Sequence, residues 1–291
     1  MAIPYKVDVP MARLPIANWA LIGITITISV KILVGEPVGG RHEANHFQPR
    51  HFENNPNAIE DLEERLTEQL TLMPLSLGKG KHFAVWELFT CLLVHGDVLH
   101  LVGNMFFLFV FGNAVNAKLG HLWYLGLYFL LGAIANLAWL LVGRGLFLVG
   151  ASGAISGIMG LFLVYYPRND ISLLRLGWIE WNFFPESISA GWLILVYMIF
   201  DLWGVIGQDD GIAYISHVVG ALAGIGIGIA LLRLKVFDTP YGEENLLQAL
   251  GWEPAPDRPR RKKKRRLAAR TSTVVRRDPD SEATGDGKGW G

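Results

Sequence analysis

Residues 150–166, GASGAISGIMGLFLVYY, and residues 214–235, YISHVVGALAGIGIGIALLRLK, decide how this chain folds. Each is a run of apolar and small residues that is nearly free of charge until its far end. Each carries one reactive polar group near its start, Ser152 in the first and His217 in the second. Each also carries glycines four apart, Gly153 with Gly157 and then Gly220, Gly224 and Gly228. In lipid, small residues at that spacing let two helix backbones approach closely. Two close-packed transmembrane helices are therefore expected, each with a polar group near its entry.

The same composition extends outward. The 291 residues are 51% hydrophobic and 18% charged, against about 25% charged in an ordinary soluble domain. Nearly half of the 26 Lys and Arg residues lie beyond Lys235, so the middle of the chain is poorer still in charge. This excludes an ordinary soluble enzyme, a disordered chain and a collagen-like chain. A transmembrane helix needs about 20 mostly apolar residues. Six segments qualify, at 17–34, 98–117, 121–142, 151–166, 190–206 and 214–235. The fourth stops at Pro167 and is the shortest. The first follows Lys6 and Arg13 and is too long for the apolar part of a signal peptide, so it reads as a retained span. The fold class expected is an all-α, six-helix membrane bundle.

Basic residues set the expected orientation. The run from Arg258 to Arg266 contains no acid and places the C-terminus in the cytoplasm. Six crossings then place the N-terminus there too, with the loops that hold Lys118, Arg168 and Arg175. The loop with Asp209 and Asp210 falls outside. Residues 1–16 read as a cytoplasmic N-terminus, 17–237 as the membrane domain and 238–291 as a disordered basic tail on anionic lipid. An outer insertion covers about 35–71. The first outer segment as a whole, 35–85, contains an amphipathic stripe (Ile59, Leu62, Leu66, Leu70, Met73) behind a capping-box pair, Asn57 and Glu60. A nuclear-localisation reading of the basic run does not suit a six-span protein, and no nucleic-acid partner is expected. The membrane expected is a plasma membrane of bacterial type.

Polar groups inside spans are costly and point to function. His100 and Asn104, at i and i+4, share a face of the second span. Under the expected topology they lie in the same outer layer as Ser152 and His217, because the second, fourth and sixth spans all run inward. A serine hydroxyl becomes a nucleophile when a base takes its proton, and His217 is the candidate base. The oxyanion that follows needs donors; His100, Asn104 and the Ser152 N–H are candidates. Each residue alone has a bland reading, as a packing serine, a structural histidine or interhelical glue. Their meeting at one depth favours chemistry. Cys91 stands alone, so no intrachain disulfide or cysteine metal site is expected. His42, His46 and His51 read as a solvated loop, and Trp178 and Trp181 as interfacial aromatics.

These motifs resemble those of the rhomboid family of intramembrane serine proteases. Gly150-Ala-Ser152-Gly153 is similar to its GxSG, His217 with Gly220 and Gly224 to its HxxGxxxG, and His100 with Asn104 to its HxxxN. His95 matches a further family histidine, and Phe200-Asp201-Leu202-Trp203-Gly204 is similar to a fifth-helix segment of bacterial members. The resemblance covers about residues 72–236. It implies Ser152 as nucleophile, His217 as general base, an oxyanion hole of His100, Asn104 and the Ser152 N–H, and no metal or organic cofactor. It implies transmembrane protein substrates, cut at small residues in a weakly helical stretch. Two departures stand out: Glu87 follows Trp86 where the family often has arginine, and Ser156 replaces an aromatic that packs on the histidine. The family uses no third acid. Asp201, near the outer end of the fifth span, could be built into a triad, but it reads rather as a packing or interface residue. The alternative reading is a non-proteolytic relative that escorts membrane clients. A transporter would need more pathway charges and matched broken helices.

Overall fold

The computed structural model describes residues 2–34, 85–142, 148–175, 187–207, 213–239 and 243–254. Strand β1 (Ala2–Val7) leads into helix α1 (Ile16–Val34). A one-turn helix α2 (Glu87–Thr90) runs into a 3-10 turn over Cys91–Leu93. Then come α3 (Val98–Leu119), α4 (His121–Val142) and α5 (Ser152–Tyr165). Strands β2 (Asp170–Arg175) and β3 (Ser187–Ser189) precede α6 (Ala190–Gly207) and α7 (Tyr214–Arg233). A short α8 (Leu246–Ala249) closes the described chain.

Five of these helices (α1, α3, α4, α6 and α7) are long and apolar enough to cross a bilayer. The sixth span, α5, has 14 residues, about 21 Å at 1.5 Å per residue, against about 30 Å of hydrocarbon. It can be short because protein surrounds it: every α5 residue except Ser152 and Ser156 is buried. The chain is thus a helical integral membrane protein with α5 as its central post.

The glycines act as the sequence suggests, with a division of labour. A Cβ at Gly220 would collide with the Gly153 carbonyl, and one at Gly224 with the Gly157 carbonyl. Those two α7 glycines therefore seat α7 on the α5 backbone. The α5 glycines make room on another side. A Cβ at Gly153 would stand 2.8 Å from Ala135 Cβ, and one at Gly157 2.8 Å from Leu131 Cβ, both on α4.

Helix α3 contains a wide π turn over Leu108–Gly112. Such a turn displaces backbone carbonyls from the α-helical ladder. Asn18 of α1 donates to the Leu108 carbonyl at 3.0 Å and to Asn113 Oδ1 at 2.9 Å. The Asn18 side-chain oxygen accepts from the Tyr124 hydroxyl of α4.

The spans form the helical bundle expected, and outside them β1, β2 and β3 add a three-stranded antiparallel sheet in that order, with a bulge between Pro4 and Lys6. Among the described residues four spans lie between β1 and β2, an even number, as their pairing on one face requires. One expectation needs correction: the tail is not disordered from its first residue. Asn245 and Gln248 form a reciprocal capping box, Leu247 is fully buried, and Arg168 pairs with Glu244 at 2.9 Å. Burial of Leu247 and this ion pair dock the segment. The stripe at 59–73, His42, His46 and His51, Trp178 and Trp181, Asp209 and Asp210, and the basic run 258–266 lie outside the described residues.

Candidate active site

The face opposite the sheet gathers the polar residues singled out above. Ser152 is the first residue of α5, and His217 lies one turn into α7. Because Gly220 rests on Gly153, these two positions are brought side by side. His217 Nε2 lies 2.8 Å from Ser152 Oγ. That is the distance at which an imidazole lone pair can accept a hydroxyl proton. The histidine side chain is 16% exposed, so the pair is sheltered without being sealed.

Three anchors hold this geometry. The Gly150 N–H donates to the Cys91 carbonyl at 3.0 Å, pinning the approach to Ser152. Ser216, next to the histidine, donates to the Ala135 carbonyl of α4 at 2.9 Å. Asn136 donates to the Leu88 carbonyl at 2.7 Å and to Cys91 Sγ at 3.1 Å, fastening the α2 segment to α4. Burial pushes the Cys91 thiol up to about 12, with the Glu87 charge adding less. It is therefore an inert packing group. Glu87 itself is buried at the start of α2.

Gly150 has φ +116°, a conformation that strains any L side chain. A Cβ there would also lie 2.8 Å from His100 Cε1 and 3.6 Å from Asn104 Nδ2. His100 and Asn104 therefore border the turn that delivers Ser152. Asp97 caps α3, accepting from the His100 N–H at 2.8 Å, and so fixes where that face begins. The Asn104 amide nitrogen is buried and finds no acceptor among the described residues. An unmet buried donor beside a serine suits an oxygen that gains negative charge during a reaction. His95 lies behind His100, with ring centroids 5.1 Å apart, and its Nδ1 is 3.0 Å from Ser29 Oγ of α1. Burial, with a smaller repulsion from His100, pushes the His95 imidazole down to about 3, so it is neutral at pH 7. It props His100 and is not placed to take the serine proton.

The structure corrects the reading of Asp201. Its Oδ1 lies 3.0 Å from His217 Nδ1, and its side chain is 16% exposed. It is not a detached packing residue; it touches the ring nitrogen opposite Ser152. A signal was present in the sequence, since Asp201 is the one acid in any of the six spans and sits near the outer end of its own. Ser216, Asn136 and Asp97 were also missed. Among the described residues no group of three His, Cys, Asp or Glu side chains is placed to hold a metal ion.

A six-span helical bundle with a hydroxyl and an imidazole paired just inside one face defines a narrow class of membrane protein. The rhomboid domain model matches residues 82–234, and the chain belongs to the rhomboid family. In Arabidopsis thaliana, "RHOMBOID-like protein 1" is 27% identical over 165 residues, 57% of this chain and 39% of that protein. "Rhomboid-like protein 11, chloroplastic" is 28% identical over 161 residues, 52% of this chain and 54% of the relative. "RHOMBOID-like protein 6, mitochondrial" is 28% identical over 149 residues, 50% and 44% respectively. The match thus spans about half the length of these relatives or less.

Proposed function

We propose that this protein is an intramembrane serine protease that cuts other membrane proteins in or near a transmembrane segment. The observation that carries the reading is the 2.8 Å approach of Ser152 Oγ to His217 Nε2 between two backbones in contact. Ser152 Oγ attacks the scissile carbonyl carbon while His217 Nε2 takes the hydroxyl proton. The new oxyanion rests against the Ser152 N–H, the Asn104 amide and the His100 ring. Collapse breaks the C–N bond, and His217 returns the proton to the leaving amine. Water, deprotonated by the same imidazole, then releases the acyl group. No step requires a metal or an organic cofactor.

The preferred substrate is a helix that unwinds easily. A carbonyl inside an intact helix is hydrogen-bonded and shielded by its own side chains, so small residues and weak helicity at the cut favour attack. Both termini face the cytoplasm, the site opens on the other side, and the basic tail lies on anionic lipid.

Ser152→Ala and His217→Ala should each abolish cleavage of a model transmembrane substrate in liposomes. Asn104→Ala should retain activity lowered by about 10²-fold. A serine-directed fluorophosphonate should label the wild type and not Ser152→Ala. Undiminished cleavage by either the Ser152 or the His217 variant overturns the assignment. A wild type that neither cleaves nor labels, yet retains membrane clients, establishes the escort alternative instead.

A further inference from the structure

Among the described residues Asp201 is the sole carboxylate in the six spans. A charge at this depth is costly unless it has a partner. Its helix gives it little cover: on α6, Ile199, Phe200, Leu202 and Trp203 are all exposed on the bundle surface. The carboxylate nevertheless turns inward and places Oδ1 3.0 Å from His217 Nδ1. The same ring meets Ser152 Oγ through its other nitrogen at 2.8 Å. Acid, imidazole and hydroxyl thus form a line across α6, α7 and α5.

We infer that Asp201 is a positioning residue for the Ser152–His217 pair, setting which ring nitrogen of His217 carries the proton and which is free to act as base. This rests on the protease reading. A neutral imidazole has one N–H and one lone pair, and the partner of one nitrogen dictates the state of the other. An ionised carboxylate can only accept, so His217 Nδ1 must donate to it. Nε2 then presents its lone pair to Ser152. When Nε2 takes the serine proton, Asp201 faces the imidazolium and stabilises it. The proton on Nδ1 stays there throughout; the acid orients and stabilises without being protonated.

Among the described residues Tyr214, one turn before His217, meets its ring edge-on at 6.3 Å between centroids. Ser156, four residues after the serine, is too small to form an aromatic wall. A bond at each nitrogen is what fixes the rotation of the ring about its Cβ–Cγ axis.

The test compares Asp201→Asn, Asp201→Ala and Asp201→Glu in the full chain, reconstituted in liposomes with the model substrate. Asp201→Asn should lower kcat by about 10²-fold or more. KM should stay within about 2-fold, as for an interaction made mainly in the transition state. Asparagine should be at least as damaging as alanine, because its amide can donate to Nδ1 and drive the proton onto Nε2, facing Ser152. Asp201→Glu should recover part of the rate. Fluorophosphonate labelling of Ser152 should slow in parallel with kcat. In ¹⁵N-histidine-labelled protein, neutral His217 should carry its proton on Nδ1 in the wild type and not in Asp201→Asn.

Wild-type labelling rates in Asp201→Asn and Asp201→Ala, or a wild-type His217 protonated on Nε2, overturn the positioning role. The ¹⁵N measurement on the wild type decides even where the variants fail to fold. A wild type that neither cleaves nor labels removes the protease reading, and the catalytic meaning of Asp201 with it. A wild type that labels while Asp201→Asn labels equally fast removes the Asp201 role alone.

Discussion

Helices α5 and α6 have similarly apolar sequences and opposite surroundings. In α5 twelve residues, Gly153 through Tyr165 apart from Ser156, are buried. In α6 only Ala190, Gly191 and Ile194 are buried, all in its first turns. Apolar composition therefore does not say whether a span faces protein or lipid; small residues do. Gly153, Gly157 and Gly160 let neighbouring helices close on α5 from two sides. The outer half of α6 offers bulky side chains to the bilayer and meets the bundle mainly through Asp201 and through Gly204 against the Tyr214 ring. Ser152 and His217 thus stand on the two helices in backbone contact, and Asp201 comes from the peripheral helix.

The comparison can be broken most severely at the α5–α7 contact. Gly224→Val would drive a branched side chain into the Gly157 carbonyl, and neither backbone can yield. We expect a loss of about 3 kcal/mol or more in detergent unfolding, together with loss of cleavage because Ser152 and His217 separate. A thermal midpoint and an activity like the wild type's would show that the two backbones are not in contact. Ile158→Ala empties a fully buried site on α5 and should cost about 2–3 kcal/mol. Ile199→Ala, on the exposed face of α6, should change the unfolding free energy by less than about 0.5 kcal/mol. Equal losses from the two isoleucine substitutions would mean that α6 is covered by protein in the folded assembly.

Much of the bundle was legible because each span is a self-contained apolar run, and because Ser152, His217, His100 and Asn104 fall at one depth. What could not be read depended on which faces meet across the chain. The Asp201–His217 contact joins two helices whose rotation about their own axes is not encoded by an even apolar run. The sheet joins residues 2–7 to residues 170–175, a pairing of segments far apart in the sequence that no local pattern announces. The docked tail is a different case, since the spacing of Asn245 and Gln248 is itself a helix-start signal. It went unread beside the much stronger basic run that follows.

The wide turn in α3 has a consequence for how its two halves share work. One surplus residue in a helix offsets everything beyond it by about 100° around the axis. Above the turn, His100 and Asn104 look toward Gly150; below it, Asn113 and Asn116 look toward Asn18. A uniform α-helix could not aim both sets of side chains at their present targets. Deleting one residue between Leu108 and Gly112 would put the two halves in competition for a single azimuth, and either the His100–Asn104 face or the α1 seam would lose its alignment.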